Sequence, residues 1–143
     1  GDDTLAGEIQ SSCARLGLAE RVHFRGFLRQ APLRDLMAEA DICVISSLHE
    51  AGPMVVLEAA TLGIPTVGTR VGHIAEWAPR AAIAVSPGDH TALAAGLIAL
   101  ASDEQRRLAL GKAALELAIE EDADFTARCF ENLYTRLCRA RHP

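Results

Sequence analysis

Two carboxylates, Glu50 and Glu58, stand eight residues apart in the stretch Ser46-Ser47-Leu48-His49-Glu50-Ala51-Gly52-Pro53-Met54-Val55-Val56-Leu57-Glu58-Ala59. The stretch leaves an apolar run, passes through a Gly-Pro turn and enters a helical pattern. Pro53 suits the first helical position, where no backbone N–H is missed. A helix that starts at the end of a strand offers unpaired N–H groups and a partial positive charge, a ready site for phosphate oxygens. Glu58 is flanked by Met, Val, Val, Leu, Ala, Ala, Thr and Leu. A helix apolar nearly all round is buried, and a carboxylate inside it needs a partner. Two partners fit Glu58. One is the hydroxyls of a neutral ligand group such as a ribose. The other is the protein itself, through a backbone group or an arginine such as Arg70. Glu50 is either a solvated loop residue or a ligand contact, and His49 beside it is weak ground for acid–base chemistry.

Two further loops carry glycines where a ligand could approach the backbone closely: Arg25-Gly26-Phe27-Leu28 and Gly68-Thr69-Arg70-Val71-Gly72. The same glycines also suit tight turns. His23, His49, His73, His90 and His142 form no HxxxH or HExxH pattern, which argues against a zinc site. There is no GxSxG elbow and no GxxxxGK[ST] loop, which excludes an α/β-hydrolase nucleophile and a P-loop NTPase. The cysteines Cys13, Cys43, Cys129 and Cys138 include no CxxC pair and are expected to be idle thiols in a reducing cytosol.

The elements that must position these residues alternate. Strands are expected at Val22–Arg25, Ile42–Ser46, Thr66–Thr69 and Ile83–Ser86. Ile42-Cys43-Val44-Ile45 is a continuous apolar run, the pattern of a strand covered on both faces. Between them, Leu5, Ile9, Cys13 and Leu16 recur at helical spacing, Leu33, Leu36 and Met37 lead toward Ala40, and Met54 to Leu62 is stopped by Gly63 and Pro65. His73 to Trp77 reads as a short turn. After Pro87-Gly88-Asp89 the strands cease. Three helices are expected near 90–101, 104–120 and 124–139, with Asp89 and Asp103 as N-caps. Phe125, Cys129, Leu133 and Leu137 form an amphipathic stripe on the last, expected to pack on this domain or on another. The fold class is α/β, a Rossmann-like parallel sheet with flanking helices.

The 143 residues suit one domain, and 50% hydrophobic content excludes a wholly disordered chain. A formal net charge of −5 with no basic run argues against a nucleic-acid binder, while leaving room for one phosphate pocket. No stretch suggests a transmembrane span, and Gly-Asp-Asp-Thr at the start lacks the features of a secretory signal. A cytoplasmic location is expected. Of 14 basic residues only Lys112 is not arginine, a bias pointing to a GC-rich bacterial genome.

The Glu50-x7-Glu58 run, between a Ser-ending strand and Gly63-Ile64-Pro65-Thr66-Val67-Gly68-Thr69, resembles the family-4 (group 1) retaining glycosyltransferases. The likeness is to the second, nucleotide-sugar-binding domain of their two-domain GT-B fold. It extends through Gly1-Asp2-Asp3, through Leu16-Gly17-Leu18-Ala19-Glu20-Arg21-Val22-His23-Phe24-Arg25-Gly26, and to Ser86-Pro87-Gly88-Asp89. The resemblance implies that Glu50 contacts donor-sugar hydroxyls near the reacting carbon, as the catalytic carboxylate. Glu58 would accept bonds from the ribose hydroxyls. Backbone N–H groups around Gly52, Met54 and Val55 would hold the diphosphate, and Gly26, Phe27 and Leu28 would lie along the base. The family uses no metal, and a nucleotide-diphosphate sugar is the donor substrate rather than a cofactor.

The departures carry their own expectations. Pro53 stands where many members have Gly, His73 replaces a common Gly, and Pro79–Ala84 lacks the usual Asp-Gly and Gly. The family's diphosphate-binding Arg and Lys precede the part matched here, as does the acceptor-binding domain. Residues 1–143 are therefore read as a single, N-terminally incomplete domain. It would lack its first two strands and be inactive alone. In the full enzyme it would be cytoplasmic or peripheral at the membrane. An open sheet edge would lead either to a homodimer or to direct pairing of Val22–Arg25 with Ile42–Ser46. The alternative functions are a nucleotide or nucleotide-sugar binding module without transfer, and an inert α/β fragment.

Overall fold

The computed structural model describes residues 5–141 and divides them into two compact units, one ending at Ala38 and one beginning at Glu39. Gly1-Asp2-Asp3, the expected glycine-rich turn, lies outside the described residues.

The first unit contains α1 (Glu8–Arg15) and α2 (Gln30–Ala38). Neither helix has a fully buried residue, and Leu5, Ile9 and Leu16 all remain substantially exposed. The strand expected at Val22–Arg25 is not formed. Its main chain pairs with no ladder, and only Arg21 and Val22 bond back to the Leu18 carbonyl, as a turn. A β-propensity run becomes a strand only when another strand takes up its N–H and C=O groups. The direct pairing expected for Val22–Arg25 is likewise absent from the sheet.

The second unit holds β1 (Cys43–Ile45), α3 (Met54–Thr61), β2 (Thr66–Thr69), α4 (Gly72–Trp77), β3 (Ala82–Val85), α5 (His90–Ser102), α6 (Glu104–Glu120) and α7 (Ala123–Arg141). The three strands are parallel in the order β1-β2-β3, with Cys43 opposite Thr66 and Thr66 opposite Ala82. This is the α/β arrangement expected of the alternating pattern. Asp89 and Asp103 cap α5 and α6 as expected, accepting from the N–H groups of Ala92 and Arg106 at 2.9 Å each. Asp122 does the same for Phe125 at 2.8 Å.

Strand alternation sorts the two faces. Ile45, Gly68, Ala82 and Ala84 face a core of Val56, Ala60, Ile74, Trp77, Ala114 and Leu117, contributed by α3, α4 and α6. On the other face α5 lies close over Val67 and Ile83, against which Gly96 packs. Val44, on that face of β1, stays 44% exposed. The expectation that this strand is covered on both faces is therefore corrected: an apolar run shows that burial is affordable, not that a neighbouring layer reaches it. The stripe on α7 is also open, with Phe125 and Leu133 each 41% exposed.

Helix α6 approaches the turn between α3 and β2 so closely that a Cβ on Gly111 would collide with the Gly63 carbonyl. Trp77 Nε1 donates to Glu121 Oε2 at 3.1 Å and ties α4 to the end of α6. Gly111→Ala is expected to lower stability by about 1–3 kcal/mol through overpacking against rigid backbone, read as a reduced urea midpoint with unchanged slope.

Burial raises the pKa of the Cys43 thiol, and a hydrogen bond with Thr66 opposes this only in part. A raised pKa leaves less thiolate at any given pH. Cys129 and Cys138 are exposed. Alkylation with iodoacetamide at pH 8 should therefore modify these two well before Cys43, as mass spectrometry of partially labelled protein would show.

Candidate functional site

The carboxyl ends of β1 and β2 set the site. After Ile45 the chain runs through Ser46 to Pro53 before α3 begins at Met54. Pro53 is the N-cap, at φ −66° and ψ 113°, one residue ahead of the helical position expected for it. Its ring fixes φ at a value common to helix and extended chain, and ψ decides for the extended one. No side chain caps α3, and its first turn carries no acidic residue. Val56 N–H bonds to the Pro53 carbonyl at 3.0 Å. The N–H groups of Met54 and Val55 are left at the helix start without intrahelical acceptors, as helix geometry requires.

Glu50 is exposed, but it is oriented. Thr69, 3% exposed at the end of β2, donates its hydroxyl to the Ser47 carbonyl at 2.6 Å. The Ser47 hydroxyl donates in turn to Glu50 Oε1 at 2.9 Å. The loop is held from its far side as well. Gly72 has φ +46°, and a Cβ there would lie 2.9 Å from Pro53 Cδ and 3.0 Å from the Ala51 carbonyl oxygen. A Cβ on Gly52 would lie 3.1 Å from His73 Nε2. The His73 ring is 5.6 Å from that of Trp77, and its buried Nδ1 has no hydrogen-bond partner, with Glu76 Oε2 3.8 Å away. The Glu50–Pro53 turn is thus packed against the start of α4 with no room for side chains at Gly52 or Gly72.

An open cleft of about 600 Å³ lies here, lined by His49, Glu50, Ala51, Arg70 and Val71. It joins a carboxylate to a guanidinium that forms no ion pair among the described residues. Sequence reasoning passed over Ser47, and named Arg70 only as a possible partner of Glu58 and within the glycine-bearing loop 68–72. Arg70 follows directly on β2, and that position at a strand's carboxyl end was the available signal. Ser47 gave no signal, because its partners are 22 residues away in one direction and three in the other.

Glu58 is half-buried rather than enclosed, because α3 leaves Met54 64% exposed and is not covered all round. The carboxylate neither pairs with Arg70 nor hydrogen-bonds within the described residues, so the internal partner considered for it is absent. It does not line the cleft with Glu50. Val55 is half-buried beside it. Gly26, Phe27 and Leu28 belong to the first unit, where Gly26 has φ +61° and Phe27 is 75% exposed. Among the described residues no three His, Cys, Asp or Glu side chains gather as a metal site, and no helix is long and apolar enough to cross a membrane.

The loop-to-helix turn lies at a strand's carboxyl end of a parallel α/β sheet, which is where open α/β folds take up their ligands. The chain belongs to the group 1 glycosyltransferases: the family profile "Glycosyl transferases group 1" matches residues 1–103. It is 35% identical over 128 residues to D-inositol 3-phosphate glycosyltransferase 2 of Catenulispora acidiphila, covering 85% of this chain and 29% of that protein. It is 32% identical over 123 residues to N-acetyl-alpha-D-glucosaminyl L-malate synthase of Bacillus anthracis, covering 82% of this chain and 32% of that one. Among solved structures, sucrose-phosphate synthase from Thermosynechococcus elongatus superposes with TM-score 0.79 at 26% identity, over 92% of this chain and 34% of that chain. Anabaena HepE in complex with UDP does so with TM-score 0.79 at 27% identity, over 91% and 36%. The chain thus spans about a third of the length of these relatives.

Thr69→Val keeps the shape of the side chain and strands the Ser47 carbonyl. Losing this buried bond should cost about 1–2 kcal/mol, measured as a drop in unfolding free energy. Ser47→Ala, which removes only the exposed bond to Glu50, should leave stability within about 0.5 kcal/mol of the parent.

Proposed function

We propose that the chain is the donor-binding part of a retaining glycosyltransferase, which moves a sugar from a nucleotide-diphosphate sugar to an acceptor. The observation that supports this most is the placement of Glu50. It is held by Ser47 at the carboxyl end of β1, facing a cleft with Arg70, beside the uncapped start of α3. In this reading Glu50 accepts hydrogen bonds from donor-sugar hydroxyls near the reacting carbon. The N–H groups of Gly52, Met54 and Val55, with the Arg70 guanidinium, neutralise the diphosphate. Glu58, charged and without a protein partner, takes the ribose hydroxyls, and Gly26, Phe27 and Leu28 are assigned to the base. The HepE complexes favour uridine as the base to test first.

The chemistry asked of these groups is positioning and charge stabilisation. The bond from the sugar's anomeric carbon to the diphosphate breaks as the acceptor oxygen attacks from the same face, and the departing phosphate takes the acceptor proton. A fixed sugar and diphosphate lower the entropic part of the barrier. N–H groups and a guanidinium aimed at the leaving oxygens stabilise the charge that develops there. Transfer is proposed to require the acceptor-binding domain that the relatives' greater length accommodates, so the isolated chain binds donor without turnover. Isolated, it is proposed to self-associate through the outer edge of β1, where Val44 has its N–H and C=O turned away from β2.

Thermal shift and calorimetry with UDP, GDP, ADP and their glucose conjugates test this reading. Ligand at 100 times its Kd should stabilise the fold by about 2.7 kcal/mol. Glu58→Gln should weaken binding of the free nucleoside diphosphate about tenfold, the lower range for a bond to a charged group. Glu50→Gln should leave that binding unchanged and remove the preference for the sugar conjugate. No shift with any nucleotide would leave the inert fragment as the correct reading. Binding with full sugar preference in Glu50→Gln would remove Glu50 from the site.

A further inference from the structure

The imidazole of His73 stands where two walls of the cleft converge. Ala51 and Val71 line the cleft, and the glycines that follow them, Gly52 and Gly72, come together behind it. A Cβ on Gly72 would lie 3.1 Å from the Gly52 Cα. His73 is the next residue, and Nε2 is the ring atom closest to Gly52. Its side chain is 26% exposed, yet Nδ1 is buried and bonds to nothing.

A neutral imidazole carries one donor and one acceptor. In either tautomer the buried Nδ1 of His73 is an unused polar group, which costs free energy. Glu76 Oε2 lies 3.8 Å from it, on a side chain 71% exposed and so free to turn. A carboxylate serves Nδ1 only when that nitrogen carries hydrogen. With neutral imidazole, Nε2 then presents a lone pair to the turn. A cationic ring has a donor on both nitrogens and satisfies both sides, with the carboxylate at Nδ1 and an anion at Nε2.

The other charged or titratable groups around the ring are few. The turn it packs against carries His49 and Glu50, and Arg70 closes β2. Glu121, at the end of α6, bonds to Trp77, whose ring is 5.6 Å from that of His73. The first turn of α3 and all of β3 carry no charged side chain.

We propose that His73 is a further ligand contact of the donor site, an inference that rests on the donor-binding reading above. Its Nε2–H donates to the diphosphate held at the turn of Gly52, Met54 and Val55, while Nδ1–H donates to Glu76. The ring takes the second proton from solvent, so donor binding and proton uptake are linked. Uptake on binding makes affinity fall as pH rises, by no more than about tenfold per pH unit for one linked proton.

The test is calorimetry of UDP-glucose binding to the whole chain at pH 6, 7 and 8. Both phosphates of this probe are esterified, so its charge is constant over that range. The parent should bind about tenfold more tightly at pH 6 than at pH 8, the range in which histidine changes charge. Titrations in buffers of different ionisation enthalpy should show net proton uptake. His73→Gln keeps a donor near Nε2 but takes no proton, so it should bind with a flat pH profile. His73→Leu fills similar space and buries no polar atom, so the fold should keep its stability. That variant should nevertheless lose about tenfold in affinity at pH 6, as for a bond to a charged group. His49→Gln should keep the proton uptake, whatever its affinity.

A flat profile in the parent, uptake that persists in His73→Gln, uptake lost in His49→Gln, or His73→Leu binding as the parent does would each overturn the proposal. A change in stability and affinity together in His73→Leu would overturn it as well, since that is the mark of a packing role. If the parent binds no UDP-glucose at any pH, the donor-site reading fails and this inference falls with it. Binding without pH dependence removes only the role of His73.

Discussion

The loop that carries Glu50 has its geometry dictated by one buried hydroxyl. Thr69 is almost fully enclosed and spends its hydrogen on the Ser47 carbonyl across the ends of two adjacent strands. That bond joins the loop after β1 to the framework of β2. From there Ser47 reaches Glu50, so a solvent-facing carboxylate inherits its direction from the sheet. A binding group on a loop is useful only when a rigid scaffold holds it. Here the scaffold acts through two successive hydroxyls.

The same turn is confined sterically. Gly72 lets the backbone after β2 come against Pro53 and Ala51, and His73 occupies the space over Gly52. In the resemblance that position is commonly glycine, and the imidazole gives this chain an additional wall. The cost is a buried Nδ1 without a partner, 3.8 Å from the nearest carboxylate oxygen. Small residues elsewhere serve the same end of close approach: Gly111 against the α3–β2 turn, and Gly96 against Val67 and Ile83. The layers that support the cleft are therefore set by backbone-to-backbone distances as much as by apolar side chains.

The two sheet edges differ in what surrounds them. On β1 the outward residue is Val44, uncovered and uncharged at its side chain. On β3 the outward groups belong to alanines in a groove bordered by arginines. The two edges thus differ in chemistry, one apolar and one bordered by guanidiniums.

The second unit was largely legible from local pattern. Thr66–Thr69 was read to the residue, Ile42–Ser46 and Ile83–Ser86 to within a residue at each end, and the caps Asp89 and Asp103 by their chemistry. Periodicity, capping and turn residues act over a few positions, so a sequence displays them directly. The Glu50 and Glu58 pair was also visible, because carboxylates in a turn and in an apolar helix are conspicuous by type. What needed the folded chain was everything that depends on a distant partner. Val22–Arg25 is no strand because no ladder receives it, Val44 stays 44% exposed because no layer covers it fully, and Glu58 is half-exposed because α3 is not enclosed. Ser47 took its place beside Glu50 only when β1 and β2 lay side by side, since a hydrogen bond across 22 residues of chain is a property of packing and leaves no mark on the residues next to it.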